Sequence, residues 1–291
     1  MKLFSAQLDG RETLCVERDG GIIPLTTLSP DLPATMEAAV IRGDGWVGEA
    51  GRLLAAVPVP APIPLTTVKV LPAVPRPGNI IAIGRNYREH ASEEGVAPPA
   101  EPPIFMKVTS SVIAHGDAIT WDPTLTNAVD YEAELGVVIG REARNVALDD
   151  ALGHVFGYTC INDVSARDLQ FADVQWIRGK SLETFCPIGP AVVTADEVPD
   201  PQGLGIRCYV NGEIRQDSNT KEMFHSVAAI IAHCSRAFRL RSGDVIATGT
   251  PGGVGYFSDP QRMLNDGDEV VVEIDGVGRL VNPCRTAPVH G

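Results

Sequence analysis

Glu132 and Glu134 stand two positions apart at the entrance to an apolar run that covers residues 134–140. Side chains two apart in a β-strand point to the same face, so a strand here would aim both carboxylates at one spot. Like charges this close repel each other unless a cation joins them. Oxygen ligands without sulfur or imidazole favour Mg²⁺, Mn²⁺ or Ca²⁺ over zinc. The residues alone leave open that the strand simply turns both glutamates to water.

A third carboxylate, Asp163, follows a second apolar run over residues 157–162. At the carboxyl end of a strand it would lean into a site at the sheet edge, and it also stands where it would cap a helix beginning near Ser165. The two roles are compatible. Three carboxylates around a divalent cation would leave three positions of an octahedral site for water and a chelating substrate.

Two polar, glycine-containing segments lie further along the chain. Lys180 belongs to a Gly-Lys-Ser triplet, for which we predict a polar turn. A phosphate-binding loop would need glycine at position 174, which is Val174, so we exclude a nucleotide-binding loop. The run TGTPGGVG over residues 248–255 predicts a tight turn, with close approach of its backbone to a ligand as the alternative.

The segment GRNYREHASEEG over residues 84–95 predicts one short helix. Asn86 and Glu89 have the spacing of a capping box, and Gly95 is a C-terminal stop. On this helix His90 and Glu93 share a face, and a histidine paired with a carboxylate can act as a general base or activate a water. A solvated surface pair is the alternative. Flanking prolines give the segment the character of a mobile lid.

The strands and helices that position these residues are predicted to form two units, with a boundary near residue 66. Residues 1–66 form a small N-terminal unit and residues 67–291 a larger, strand-rich one. Prolines at positions 58, 60, 62, 64, 72, 75 and 77 favour an extended surface connector between them. In the small unit, Asp-Gly turns separate predicted strands at 2–8, 14–17 and 21–24, and predicted helices cover 34–42 and 47–56.

In the larger unit, apolar runs predict strands at 79–84, 134–140 and 157–162. The continuous apolar character of the second run indicates burial on both faces. Asn211-Gly212 and Asp275-Gly276 predict hairpins with two-residue turns over 207–216 and 269–281. Apolar residues at helical spacing predict one clear helix over 224–238.

Composition and charge exclude several classes of function. The chain has 291 residues, with 24 Lys or Arg against 37 Asp or Glu and a net charge of −13. This acidity argues against nucleic acid or an anionic membrane as a partner, because both attract clustered positive charge. No apolar run reaches the ~18 residues of a membrane span, and the N-terminus turns polar too early for a signal peptide. We therefore expect a cytoplasmic protein. Six scattered cysteines predict buried free thiols.

Seven segments, taken in order, resemble the fumarylacetoacetate hydrolase superfamily across about residues 78–284: GRNYREH, FMK, DYEAELG, NDVSARDLQ, QWIRGKSLETFCPIGP, YVNGEIRQDSNT and TGTPGGVG. They look closest to the fumarylacetoacetate-hydrolase-domain-containing proteins, a branch with acylpyruvases, oxaloacetate decarboxylases and oxaloacetate tautomerases. The resemblance implies an α+β, mainly β fold, a mixed β-sandwich roll with a small N-terminal α/β domain. It also implies a homodimer.

The resemblance assigns roles to ten or so residues. It implies Mg²⁺ as cofactor, with Mn²⁺ or Ca²⁺ as alternatives. Glu94 beside the lid pair makes the partner of His90 ambiguous, and the H-x-x-E spacing favours Glu93. The implied metal ligands are Glu132, Glu134 and Asp163, the implied catalytic residues are His90, Glu93 and Lys180, and the implied substrate contacts are Arg85, Arg167, Gln170 and Thr250.

The implied reaction starts from a small anionic 2-oxo or 2,4-dioxo acid and passes through a metal-bound enolate. We rank C–C bond hydrolysis (acylpyruvate or fumarylpyruvate type) or decarboxylation (oxaloacetate type) first. The alternative is a keto–enol tautomerase or isomerase of the oxaloacetate or 2-hydroxyhepta-2,4-diene-1,7-dioate type. A non-catalytic metal-binding protein is the third hypothesis, disfavoured because metal binding alone would need neither His90, Glu93 nor Lys180.

Overall fold

The computed structural model describes residues 1–56 and 59–287, so Pro58 of the connector lies outside the described residues. The strands are β1 (Lys2–Leu8), β2 (Arg11–Arg18), β3 (Gly21–Pro24), β4 (Ile63–Pro64), β5 (Lys69–Val70), β6 (Ile80–Ile83), β7 (Ile104–Lys107), β8 (Val112–Ile113), β9 (Ile119–Trp121), β10 (Val129–Asp130), β11 (Ala133–Ile139), β12 (Val155–Asn162), β13 (Ser165–Ala166), β14 (Cys186–Thr194), β15 (Gly205–Val210), β16 (Glu213–Asn219), β17 (Val245–Ala247), β18 (Glu269–Ile274) and β19 (Gly278–Thr286). The helices are α1 (Leu25–Leu28), α2 (Met36–Arg42), α3 (Val47–Ala56), α4 (Arg88–Glu93), α5 (Arg167–Ala172), α6 (Ile177–Lys180) and α7 (Val227–Ala237).

The N-terminal unit forms the predicted three-stranded meander and two of its predicted helices. Asp9 and Asp19 both adopt positive φ, at 48° and 51°, as the Asp-Gly turns require. Helix α2 begins at Met36 and not at residue 34, because Thr35 is its N-cap and its side chain accepts a hydrogen bond from the backbone N–H of Ala38 at 3.2 Å.

The N-terminal meander continues the main sheet of the chain. β1 pairs antiparallel with β14, so that Leu3 lies opposite Val192. Trp46, Met36 and the neighbouring helical residues pack in one core with Phe156 of β12. The division at residue 66 stays a prediction, and the structure shows that both of its sides share hydrogen bonds and a core.

The main sheet has twelve strands, and its central path runs β4-β3-β2-β1-β14-β12-β11-β17-β6-β7. β11 lies in the middle between β12 and β17, and every residue in it is buried. Its Leu135 and Val137 belong to one hydrophobic core and its Val138 to the other. The predicted burial of this strand on both faces is confirmed. The predicted metal ligand Glu134 is its second residue, and Glu132 directly precedes it.

A second sheet, ordered β16-β15-β18-β19-β9, packs over one face of the first. Ile206 and Val272 from this sheet share a core with Leu135 and Val137 of β11, which makes the two layers a β-sandwich. The hairpin at Asn211-Gly212 has the predicted two-residue turn. The other hairpin pairs Ile274 with Gly278, so its turn has three residues and the prediction of two was wrong.

Helix α7 packs on the sandwich through the predicted apolar face, but it begins at Val227 and not at residue 224. Ser226 is its N-cap, with a side chain that accepts from the backbone N–H of Ala229 at 3.2 Å. Phe224 and His225 instead donate their backbone N–H groups to Asn86. These three residues therefore anchor the segment that carries His90.

All six cysteines lie within the described ranges and are buried free thiols, as predicted. Across residues 1–56 and 59–287, the structure contains no helix long and apolar enough to cross a membrane.

Candidate metal centre and active site

The three predicted metal ligands come together where the central strand β11 begins and its neighbour β12 ends. Because β11 pairs with β12 so that Ala133 lies opposite Asn162, the residues just outside that pair, Glu132 and Asp163, become neighbours. The backbone N–H of Asp163 donates to the carbonyl of Glu132 at 2.9 Å. One carboxylate oxygen from each of Glu132, Glu134 and Asp163 lies within 4.8 Å of the others, and all three residues are buried.

Two buried lysines bridge these carboxylates. Lys180 Nζ lies 2.6 Å from Glu132 Oε2 and 2.9 Å from Asp163 Oδ2. Lys107 Nζ lies 2.5 Å from Asp163 Oδ1 and also donates to the backbone carbonyl of Lys180. Lys180 ends the one-turn helix α6, whereas we had predicted a turn. Asp163 does not cap a helix, because α5 begins only at Arg167 and the aspartate is engaged by both lysines.

Arg167 is a third buried cation in the cluster. Its guanidinium lies 2.7 Å from Glu132 Oε1 and 2.8 Å from Asp130 Oδ2, and it donates to Gln170 Oε1 at 3.0 Å. The predicted substrate contacts Arg167 and Gln170 are therefore bonded to each other, and Arg167 also forms an ion pair with the predicted metal ligand Glu132.

The surroundings of Glu132 and Glu134 shift the pKa values of these two glutamates in opposite directions. Burial favours the neutral form of Glu132, but Lys180 and Arg167 outweigh it and lower its pKa to about 2. For Glu134, burial and then the charges of Asp163 and Glu132 raise the pKa well above its ordinary 4.5. Burial opposes the charge of Lys180 too, yet Asp163 and Glu132 outweigh it and raise its pKa. In this arrangement Lys180 is a cation.

The residues present fit a hard divalent cation. All three converging donors are carboxylate oxygens, which Mg²⁺, Mn²⁺ and Ca²⁺ prefer. Within the described part of the chain, the buried cluster holds four carboxylates against three side-chain cations: Asp130, Glu132, Glu134 and Asp163 against Lys107, Arg167 and Lys180. A divalent ion would turn the remaining negative charge into a positive one, which suits an anionic substrate.

Helix α4 carries His90 over this cluster, and its anchoring differs from the prediction. The N-cap is Tyr87, which makes no side-chain cap, so the predicted capping box of Asn86 and Glu89 was wrong. Asn86 is buried and donates from Nδ2 to the carbonyls of Thr248 and His225, at 2.8 Å and 3.0 Å. These long-range bonds tie the base of the helix to the site.

His90 is buried and lies between two glutamates. Its Nε2 is 3.1 Å from Glu94 Oε1, and its Nδ1 is 3.7 Å from Glu93 Oε2. Burial favours the neutral imidazole, but the adjacent carboxylates of Glu93 and Glu94 and the charge of Glu132 raise the pKa of His90. Burial also opposes the charge of Glu94, yet His90 and Arg85 outweigh it and lower the pKa of that carboxyl.

The run 248–255 is an extended irregular loop and not the predicted tight turn, and its backbone N–H groups bind carboxylates. Gly249 donates to Glu134 Oε2 at 2.8 Å, and Gly255 donates to Asp130 Oδ1 at 2.7 Å. Gly249 has a φ of 98°, and a Cβ there would lie 2.7 Å from Cβ of Asn86. Glycine is therefore required for the loop to approach the metal ligands this closely.

A small cavity joins these groups, with free space of about 20 Å³, room for roughly one water molecule. The structure brings most predicted site residues to its wall: Arg85, His90, Glu132, Glu134, Arg167, Gln170, Lys180 and Thr250. Glu94 and Trp176 also line the wall, whereas Glu93 is not part of it. A substrate with several heavy atoms needs more space than the cavity has in this conformation.

Sequence reasoning missed three charged residues of the site. Lys107 lies in the FMK segment and Asp130 in the DYEAELG segment, but the family resemblance assigns no function to either residue. Their partners Asp163 and Arg167 lie 56 and 37 positions away, so no local spacing pointed to them. Glu94 was considered and set aside in favour of Glu93, although it is the nearer partner of His90.

Replacing Lys107 by Met should destabilise the protein by about 3–5 kcal/mol, because it breaks a buried ion pair and leaves Asp163 with Lys180 as its one remaining cation partner in the described structure. Urea unfolding of the variant with and without Mg²⁺ measures the loss. The matched control is Lys221→Met at an exposed lysine, which should unfold like the parent protein. Equal stability of Lys107→Met and Lys221→Met would show that Lys107 does not support the site.

A sequence model described as fumarylacetoacetate (FAA) hydrolase, C-terminal, matches residues 79–285, well over half of the chain. The chain belongs to the fumarylacetoacetate hydrolase family. Human mitochondrial oxaloacetate tautomerase FAHD2A is 43% identical over 266 residues, which cover 90% of this chain and 83% of the human protein. This relative is mitochondrial by name, and a cytoplasmic location for the present chain stays a prediction.

Solved structures of the family confirm the predicted fold class. Fumarylacetoacetate hydrolase from Exiguobacterium antarcticum matches with a TM-score of 0.85 and 38% identity, covering 99% of this chain and 100% of that one. Maleylpyruvate hydrolase from Sphingobium sp. SYK-6, in complex with manganese(II) and pyruvate, matches with a TM-score of 0.79 and 33% identity over the same shares. Members of this family are enzymes, and the α+β, mainly β sandwich roll is theirs.

Proposed function

We propose that the protein is a divalent-metal-dependent keto–enol tautomerase of a small 2-oxo dicarboxylic acid of the oxaloacetate type. The observation that carries the proposal is the 43% identity with human oxaloacetate tautomerase across 90% of this chain. This reverses the order given from the sequence, in which C–C hydrolysis or decarboxylation came first. The proposal includes a homodimer that binds neither nucleic acid nor membranes.

In this proposal Glu132, Glu134 and Asp163 hold the cation, which supplies Lewis acidity to the carboxylate and keto oxygens of the substrate. Tautomerisation needs a proton moved to and from carbon 3. His90 reaches the cavity and is held by carboxylates, so it is the proposed carrier of that proton. The ammonium of Lys180 stabilises the developing enolate oxygen.

The distal carboxylate of the substrate needs its own partners. Arg85, Gln170 and Thr250 line the same cavity and offer a guanidinium, an amide and a hydroxyl. Thr250 is oriented by Gln216, whose Nε2 donates to the threonine hydroxyl at 2.8 Å. We propose these three side chains as the contacts that select a dicarboxylic acid.

C–C hydrolysis of a dioxo acid is the second candidate. It is favoured by the buried His90 with two adjacent glutamates, an arrangement able to activate a water, and by 33% identity with maleylpyruvate hydrolase. Decarboxylation of oxaloacetate requires the same enolate without a water.

We expect the protein loaded with Mg²⁺ or Mn²⁺ to speed the loss of the enol absorbance of oxaloacetate without forming pyruvate. Dialysis against EDTA should abolish the acceleration, and either metal should restore it. The enol band is followed by stopped-flow absorbance and pyruvate by a coupled dehydrogenase assay.

Each alternative has its own signature in this assay. Pyruvate formed as fast as the enol disappears would identify a decarboxylase, and faster cleavage of acetylpyruvate or maleylpyruvate would identify a hydrolase. Full activity after complete metal removal would contradict the role given to the carboxylates.

A further inference from the structure

We propose that Gln216 is a positioning residue, which fixes the direction of the Thr250 hydroxyl so that Thr250 presents a hydrogen-bond donor to the substrate. The inference rests on the proposed function, because there Thr250 contacts the distal carboxylate of the substrate. It adds the property by which this contact selects its ligand, since the substrate atom that meets a donor must be an acceptor.

The orientation of the Gln216 amide is decided by its partner on the main sheet. Gln216 lies on β16 of the second sheet, and its side chain is buried. Its Oε1 accepts from the backbone N–H of Ala133 at 2.9 Å, and Ala133 stands between the metal ligands Glu132 and Glu134. A backbone N–H only donates, so the amide oxygen must face Ala133 and the NH₂ group must face the other way.

Both protons of that NH₂ group have partners in the glycine-rich loop, residues 248–255. Nε2 of Gln216 donates to the hydroxyl oxygen of Thr250 at 2.8 Å and to the carbonyl of Pro251 at 2.9 Å. Thr250 therefore accepts in this contact, and its own O–H proton must point elsewhere. Among the described residues, no oxygen or nitrogen accepts from this hydroxyl. Thr250 is buried and lines the cavity, so its proton is left for a ligand there.

A second amide at the cavity is oriented by the same rule. Oε1 of Gln170 accepts from the guanidinium of Arg167 at 3.0 Å, and a guanidinium only donates. Gln170 lines the cavity, so the group that it has left for a ligand is its NH₂. Together with Arg85, the side chains proposed for the distal carboxylate therefore all donate. They match the oxygens of an ionised carboxylate, and none of them accepts from the NH₂ group of a primary amide.

Replacing Gln216 by Glu should turn the Thr250 hydroxyl round. The carboxyl group keeps an oxygen for Ala133, but it brings at most one proton where the amide brings two. The carbonyl of Pro251 takes that proton, because a carbonyl only accepts, whereas a hydroxyl can rotate and donate. The threonine proton then points at the new carboxyl oxygen, whether this is ionised or not, and Thr250 offers the cavity only its lone pairs.

The test measures the preference for oxaloacetate over its 4-amide, 2-oxosuccinamate, as the ratio of kcat/KM for enol loss in protein loaded with Mg²⁺. We expect Gln216→Glu and Thr250→Val each to lower this preference about ten- to a hundredfold, the worth of one hydrogen bond to a charged group. The double variant should fall no further than Thr250→Val, because both changes remove the same donor. Thr250→Ser keeps the hydroxyl and should keep the preference.

Gln202→Glu is the matched control. Gln202 makes the same kind of clamp, with Oε1 accepting from the backbone N–H of Val227 at 2.7 Å and Nε2 donating to the carbonyl of Thr220 at 2.9 Å. It does not line the cavity, so its variant should keep the preference of the parent protein. An equal fall in Gln202→Glu, or an unchanged preference in Gln216→Glu beside a lowered one in Thr250→Val, would overturn the role of Gln216.

Neutron diffraction from deuterated crystals of the parent protein loaded with Mg²⁺ tests the hydroxyl direction without any variant. A deuteron on Thr250 that points into the cavity supports the inference, and one that points at Gln216 overturns it.

Binding of malate and of its 4-amide separates the inference from the proposed function, because neither compound has a keto group to enolise. Isothermal titration into the protein loaded with Mg²⁺ measures both affinities. Suppose that the parent protein shows no enol loss but prefers malate to the amide, and that Gln216→Glu lowers this preference at least tenfold. The proposed function would then be wrong, and the positioning role of Gln216 would stand.

Discussion

Replacing Glu134 by Gln is expected to lower the affinity for Mg²⁺ or Mn²⁺ and the rate of enol loss by more than about 100-fold. Residues that merely orient a metal ligand already contribute 10- to 100-fold, and Glu134 is one of the ligands themselves. Isothermal titration with Mn²⁺ and stopped-flow kinetics measure the two losses.

The same substitution should stabilise the protein when metal is removed. Burial, Asp163 and Glu132 raise the pKa of Glu134 well above 4.5, so the folded protein holds a proton there that the unfolded chain releases. A carboxyl with a raised pKa contributes stability below pH 4.5 and loses it as pH rises through the folded pKa. In EDTA, the Tm of the parent protein should therefore fall with rising pH more steeply than that of Glu134→Gln.

Glu269→Gln, at an exposed glutamate that begins strand β18, is the matched control and should leave metal affinity and Tm unchanged. Retained metal affinity in Glu134→Gln would remove this residue from the ligand set. A lower Tm of Glu134→Gln than of the parent protein in EDTA would show that burial, Asp163 and Glu132 do not make the Glu134 carboxylate destabilising.

Much of the metal centre could be predicted because its signals are local. Glu132 directly precedes strand β11 and Glu134 lies in it two positions later, and Asp163 directly follows the apolar run that pairs with that strand. What could not be predicted depends on contacts between distant segments. Asp163 is bridged by Lys107 from β7, and no pattern within either segment contains that pairing.

The errors about helix starts and caps have the same origin. The sequence around Asn86 and Glu89 has the form of a capping box, but the asparagine bonds to Thr248 and His225 instead. The helix predicted from 224 starts at Val227, because Phe224 and His225 donate to that asparagine. A tertiary hydrogen bond replaced a local one in both cases, and both lie where the helix bearing His90 is anchored.

Replacing Lys180 by Met should also have a large effect, and it should change metal binding and catalysis in opposite directions. Lys180 is a buried cation beside Glu132 and Asp163, so its removal relieves repulsion toward a divalent ion and should tighten Mn²⁺ binding. Enol loss should nevertheless fall by more than about 100-fold, the effect of removing one group that stabilises a developing oxyanion. Without metal, the variant should lose about 3–5 kcal/mol of stability, because two buried carboxylates each lose one of their two cation partners.

Lys107→Met is the informative comparison, because both lysines contact Asp163 but only Lys180 lines the cavity. If charge compensation were the whole role of Lys180, the two variants loaded with Mn²⁺ would lose activity equally. If Lys180 also stabilises the enolate, its loss should cost at least ten times more in kcat than the loss of Lys107, at matched metal occupancy. Weaker Mn²⁺ binding by Lys180→Met would contradict this prediction. It would mean that the Lys180 ammonium does not repel the metal ion measurably and that Lys180 instead keeps the carboxylate ligands in place.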